Sequence, residues 1–145
     1  MSPSPSPQNR IAVLALFAAV KYAKDEEGEA RFAACWTKDA RLEIESNGRS
    51  FALVEGREAI MAFYRQVWAN GGHGKGSSRE THIAEHPDVT FIDDGRLLAR
   101  HATSFFYAED EEILIKRFGT FRDVIACADG AWRIVERQAI LVRRD

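Results

Sequence analysis

The last third of the chain constrains the fold most. Between Glu111 and Arg143 two long segments flank an Asp129-Gly130 pair. Before the pair, Ile113, Ile115, Arg117, Gly119, Phe121, Asp123, Ile125 and Cys127 share one parity, and Leu114, Lys116, Phe118, Thr120, Arg122, Val124 and Ala126 share the other. After it, Trp132, Ile134, Glu136, Gln138, Ile140 and Val142 alternate with Arg133, Val135, Arg137, Ala139, Leu141 and Arg143. A period of two puts alternate side chains on opposite faces of a strand. Asp-Gly suits a type I′ turn, which needs positive φ at both central residues, so the segment reads as a β-hairpin. Strands this long imply a large, curved antiparallel sheet wrapped around something.

The preceding chain supplies that something. Ile11 to Lys24 is rich in Ala, Leu, Val and Phe without a breaker, and its apolar residues spread round most of the circumference, as in a helix buried on most sides. Gly28 interrupts it, and Glu29 to Thr37 resumes a helical pattern with Phe32, Cys35 and Trp36 on one face. Ala40 to Glu45 and Ser50 to Val54 form a short strand pair around Asn47-Gly48. After Gly56 a third helix carries the stripe Ile60, Phe63, Tyr64, Val67 and Trp68. The segment Asn70 to Ser78, with four glycines, ends that helix, and His73 within it reads as a loop histidine. Two more strands follow, about Arg79 to Ile92 and Arg96 to Tyr107, joined by Asp93-Asp94-Gly95. Pro87 cannot donate a ladder hydrogen bond, so it marks a bulge or an edge in the first. The expected architecture is α+β: a strongly curved antiparallel or mixed sheet with three N-terminal helices on its concave face, enclosing a cone-shaped hollow.

At 145 residues the chain fits one domain, taken as residues 10–145 after a disordered Ser-Pro tail at 1–9. The formal net charge of -2 provides no field to recruit nucleic acid. Ile11 to Val20 is too short an apolar run to span a bilayer. Cys35 and Cys127 follow no metal-ligand spacing, which points to two core thiols in a reduced, cytoplasmic setting. No metal and no cofactor is expected.

Gly119-Thr-Phe-Arg-Asp123, followed by Asp129-Gly-Ala-Trp-Arg-Ile134 and Arg137, resembles the C-terminal signature of SnoaL-like proteins in the nuclear transport factor two-like, cystatin-like α+β superfamily. Gly56-Arg-Glu-Ala-Ile60 with Phe63-Tyr64 is similar to that family's entry into its third helix, and Trp36-Thr-Lys-Asp-Ala40 to its corner before the first strand. The resemblance covers about Val13 to Arg143. It implies that Asp25 and His82 stand where scytalone dehydratase-like and dehydrochlorinase-like members place an aspartate orienting a histidine. Such members remove a proton from carbon and expel water or chloride. The chain departs from them in having Val20 one helical turn before the aspartate, where the family has tyrosine or lysine. It also has Cys127 and Ala128 where some members place an arginine before the Asp-Gly turn.

The residues agree with that chemistry. A neutral imidazole accepts a proton near neutral pH, and a carboxylate on its other nitrogen fixes the tautomer and stabilises the cation as it forms. The pair the resemblance implies, Asp25 and His82, could do this, although by themselves Asp25 in its run with Glu26, Glu27 and Glu29 also reads as a solvated helix end and His82 as a packed strand residue. Tyr22, His86, His101 and Arg100 are candidates to stabilise a developing enolate. Tyr22, Trp36, Phe63, Trp68, His86, His101 and Phe121 are the expected lining of a pocket for an apolar small molecule. Arg133, Arg137, Arg143 and Arg144 read as a solvated strand face or a subunit contact in a homodimer. The expected function is a small-molecule lyase or isomerase acting on an apolar cyclic or polyketide-like substrate. The alternative is a non-catalytic ligand-binding or accessory domain, in the manner of dioxygenase small subunits.

Overall fold

A computed structural model describes residues 5–70, 79–93, 95–109 and 111–143. His73 lies outside the described residues. In chain order the elements are α1 (Pro7–Asp25), α2 (Glu29–Ala34), β1 (Trp36–Ser46), β2 (Arg49–Glu55), α3 (Arg57–Ala69), β3 (Arg79–Ala84), β4 (Asp88–Asp93), β5 (Arg96–Glu109), β6 (Glu112–Ala128) and β7 (Ala131–Arg143). The strands form one sheet in the order β2-β1-β7-β6-β5-β3, with β4 also on β5. Among the described residues only β1 against β7 is parallel, so the sheet is mixed, curved and unclosed. The helices cover one face, and the fold is the α+β architecture expected from the sequence.

Both tight turns form as their residues dictate. Asn47 and Gly48 have φ of 48° and 76°, and Asp129 and Gly130 have 53° and 75°, the left-handed backbone that a type I′ turn demands. Long-range order in the second hairpin departs from simple alternation. Ile125 pairs with Ile134 but Val124 pairs with Glu136, so Val135 is an extra residue in β7. Such a bulge reverses the facing of everything after it. Ile134, Arg137 and Ala139 are consequently the buried positions of β7.

Several sequence expectations need correction. The helix begins inside the Ser-Pro stretch, because Ser6 caps it through Asn9 N donating to Ser6 Oγ at 3.1 Å and Pro7 suits a first-turn position. Helix α1 buries only the stripe Val13, Leu16, Val20 and Ala23, leaving Ile11 and Leu14 in solvent. Helix α2 ends at Ala34, and Trp36 opens β1, where Ile134 N donates to Cys35 O at 2.8 Å and starts the sheet. The region from Arg79 to Ile92 is two strands: β3 pairs with residues 103–108 of β5 and β4 with its first residues, the ladder breaking at Glu85 to Pro87. Five strands rather than four thus follow α3. Cys35 is buried, but Cys127 is exposed.

The core lies between helices and sheet. Phe32, Trp36, Leu42, Ile60, Met61, Leu97, Ile125 and Ile134 are fully enclosed there. Phe32 sits edge-on to Trp36, Tyr64 and Trp68, an arrangement that favours aromatic pairs beyond their buried area.

Candidate active site

The end of α1 is fixed from several sides. Gly28 N donates to Ala23 O at 2.7 Å after Glu27 turns through φ 55°, closing the helix. From α3 the Trp68 indole donates to Lys24 O at 3.0 Å. The terminal turn therefore carries Lys24 and Asp25 to the sheet at β3. An aspartate at a helix C-terminus faces the negative end of the macrodipole, which disfavours it by a few tenths to about 1 kcal/mol. What it gains is His82.

His82 lies on β3 opposite Phe105 of β5, with its ring edge-on to that phenyl at 4.3 Å between centroids. The imidazole is 4% exposed as a residue. Its Nδ1 is hydrogen-bonded to Asp25 Oδ1, and its backbone N donates to Asp25 Oδ2 at 3.4 Å. A carboxylate acceptor puts the proton on Nδ1, leaving the Nε2 lone pair to accept from Lys24 Nζ at 3.2 Å. Burial pushes the Asp25 carboxyl up, but the His82 hydrogen bond and the nearby positive charges outweigh it and hold the pKa below the ordinary aspartate value. Lys21 adds a longer contact to Asp25 Oδ2 at 3.8 Å. The expected pair is thus in direct contact at the mouth of the helical layer.

A second polar group faces the same hollow. Arg137 donates through Nε and one terminal nitrogen to the two Asp123 oxygens, both at 2.7 Å. His101 Nε2 meets Asp123 Oδ2 at 3.1 Å, and its ring stacks on Phe121 at 5.0 Å and tilts against Phe17 at 4.6 Å. Asp123 is wholly buried, and burial alone pushes its pKa up. The Arg137 charge and the hydrogen bonds reverse that, leaving it lowered. Arg137, burial notwithstanding, is raised by Asp123. The solvated strand face expected for Arg137 is therefore wrong: the Val135 bulge turns it inward, where it is 5% exposed. The sequence did carry a signal for Asp123, which shares parity with Phe121 and Ile125.

Two adjoining lobes make the hollow. The larger holds about 560 Å³ of unfilled space, mouth included, between Leu42, Ile44, Phe51, Phe63, Val67 and Leu141. The smaller, about 400 Å³, is bounded by Phe17, Val20, His82, His101 and Thr103. Lys24, Phe121 and Arg137 line both and stand at their junction.

The remaining expected residues divide. Phe63, His101 and Phe121 line the lobes. Trp36 and Trp68 instead pack in the core, away from both lobes, because the chain is already in β1 at Trp36 and because the Trp68 indole is engaged by α1. Tyr22, 49% exposed and with Lys21 Nζ 4.2 Å from its ring, lies outside both lobes but lines an open groove on the other side of His82 together with His86. His86 is exposed, since the strand breaks before it and the parity shared with His82 is lost. Arg100 pairs with Asp88 at 2.7 Å on the surface. Lys24 and Arg117 were not expected in the site at all. Among the described residues, no group of three or more His, Cys, Asp or Glu side chains is placed to hold a metal ion, and no helix is long and apolar enough to cross a membrane.

Among solved structures the chain is similar to Aln2 from a Streptomyces species, with 20% identity over 94% of this chain and 93% of that one and a TM-score of 0.77. It is also similar to a provisionally named scytalone dehydratase from Novosphingobium aromaticivorans, with 15% identity over 94% and 88% and a TM-score of 0.72. A third is the beta subunit of a provisionally named aromatic-ring-hydroxylating dioxygenase from the same organism, with 13% identity over 94% and 91% and a TM-score of 0.76. At these identities the likeness establishes the cystatin-like fold alone. No curated protein matches the chain by sequence. A family model for the SnoaL-like domain matches residues 8–138, nearly the whole described fold. The chain belongs to the SnoaL-like family.

Proposed function

We propose that the protein is a small-molecule lyase or isomerase in which His82 removes a proton from a carbon next to a carbonyl, on an apolar cyclic or polyketide-like substrate. The observation that carries this reading is the bond from His82 Nδ1 to Asp25, which leaves Nε2 as the basic nitrogen beside the hollow. The C–H electrons become the enolate double bond, and the carbonyl oxygen takes the charge. Lys24 Nζ, 3.2 Å from Nε2, is the cation within reach of that oxygen. An approaching carbonyl gives the ammonium a new acceptor and releases Nε2 for the proton. The imidazolium, steadied by Asp25, then returns the proton to another carbon or gives it to a departing hydroxyl. A base held in this way supplies roughly 10²- to 10⁴-fold, and the preorganised cation supplies more. A cytoplasmic setting and a homodimer belong to the same reading.

The test is deuterium uptake at the acidic carbon of cyclic ketones such as 2-tetralone, followed by NMR in D₂O. Wild type should exchange faster than the uncatalysed rate, and His82→Ala and Asp25→Asn should each lose most of that excess. Equal rates for wild type and His82→Ala sink the proposal.

The alternative reading has its own observation. Lys24 occupies the accepting nitrogen of His82, so the dyad also serves as a clamp joining α1 to β3. In a non-catalytic binding or accessory domain that clamp would be its whole purpose. No exchange by wild type, with His82→Ala markedly less stable, is the result that reading expects.

A further inference from the structure

Among the described residues, the side-chain polar atoms that are both sealed from solvent and without a partner are Trp36 Nε1, His101 Nδ1 and Arg133 Nε. The Tyr64 hydroxyl is placed differently. It makes no hydrogen bond to another described residue, yet it is not sealed, so its oxygen opens onto the larger lobe that its side chain lines. The residue is 5% exposed, and its ring is held on three sides, with centroids 4.7 Å from Phe32, 5.2 Å from Phe63 and 6.1 Å from Trp68. Burial pushes the phenol pKa up by more than the Arg137 charge pulls it down, and the Asp123 charge pushes the same way as burial. Tyr64 therefore keeps its proton and serves as a donor. Lys24 connects it to the base: Nζ is 5.8 Å from the Tyr64 ring centroid and 3.2 Å from His82 Nε2. Lys24 lines both lobes, Tyr64 the larger and His82 the smaller.

We propose that Tyr64 is a catalytic residue whose hydroxyl donates a hydrogen bond to the carbonyl oxygen of the ketone that His82 deprotonates. The proposal rests on the reading of His82 as the base, and it adds a neutral donor to the Lys24 charge. A substrate lying across the junction has its acidic carbon at His82 in the smaller lobe and its oxygen at the phenol in the larger one. As the C–H electrons become the enolate double bond, charge gathers on that oxygen and the hydrogen bond from Tyr64 strengthens. The phenol proton stays on Tyr64, so the one proton transferred is the one His82 removes. Three aromatic neighbours fix the ring beforehand, the condition under which such a donor contributes most.

Tyr64→Phe removes the hydroxyl and leaves the ring. Because that hydroxyl bonds nothing in the described protein, the urea midpoint should not move. In deuterium exchange of cyclohexanone, kcat should fall by about 10²-fold with KM nearly unchanged, the pattern of an interaction made in the transition state. Infrared spectra read the same contact without turnover. The carbonyl stretch of cyclohexanone labelled with ¹³C at that carbon should lie at lower frequency bound to wild type than bound to Tyr64→Phe. Wild type that gives this difference but exchanges no deuterium refutes His82 as the base and leaves the contact from Tyr64 standing. A carbonyl stretch unmoved by Tyr64→Phe, or a raised KM with kcat intact, overturns the assignment. So does a lowered urea midpoint, which would show the hydroxyl engaged within the fold.

Discussion

Asp123 and Arg137 show how much can depend on one ion pair. Both are buried, and each is tolerable inside the protein only because of the other. Arg137→Met leaves a carboxylate with His101 as its remaining side-chain partner and should lower stability by about 3–5 kcal/mol, read from urea midpoints. Asp123→Leu combined with Arg137→Met should recover most of that loss, because no lone charge then stays behind. A single variant within about 1 kcal/mol of wild type would show that solvent reaches the pair. At this scale the sequence was half legible. Asp25 and His82 were recognisable as a pair because a family pattern marks their places, and the structure brings the two side chains into contact. Lys24 was not, since a lysine in the last turn of a helix is also what the macrodipole favours in solvent. Which way it leans follows from Trp68 holding the helix end, a contact between residues far apart in sequence.

Elements were legible where the signal is local. Asn47-Gly48 and Asp129-Gly130 each name a turn type, and α3 declared itself through its apolar stripe. What simple alternation hid were the interruptions: the break at Glu85 to Pro87, which turned His86 out, and the extra residue Val135, which turned Arg137 in. Bulges answer to sheet curvature, and curvature is a property of all the strands together. Gly119 is another such point. A Cβ there would lie 2.7 Å from Leu141 Cδ2 and 2.9 Å from Phe121 Cε2. Both neighbours are side-chain ends that can move, and Phe121 stands at the junction of the lobes. Gly119→Ala should therefore cost about 1–3 kcal/mol as overpacking does, and should slow deuterium exchange of 2-tetralone by displacing the Phe121 ring. Undiminished exchange in a destabilised Gly119→Ala protein would mean that Leu141 alone gives way.

Across the whole molecule, one carboxylate joins a helix to the sheet and another joins three strands within it, and because folding lowers both pKa values, stability depends on pH in a stated direction. Asp25 ties α1 to β3, and Asp123 ties β6 to β7 and β5. In each, burial acts against ionisation and a cation or imidazole more than compensates. A group whose folded pKa lies below its unfolded one binds more protons when unfolded. Its contribution is fully present above the ordinary aspartate value and drains away as pH falls through that value towards the lowered one. Urea midpoints from neutral pH down into the acid range should thus stay level, then drop. In Asp25→Asn the neutral-pH stability should be lower and the acid drop shallower, so the two curves approach each other as acid protonates the wild-type carboxyl. Parallel curves would mean that Asp25 titrates alike in the folded and unfolded chains, and the contact with His82 would then lose its energetic standing along with its proposed role in orienting the base.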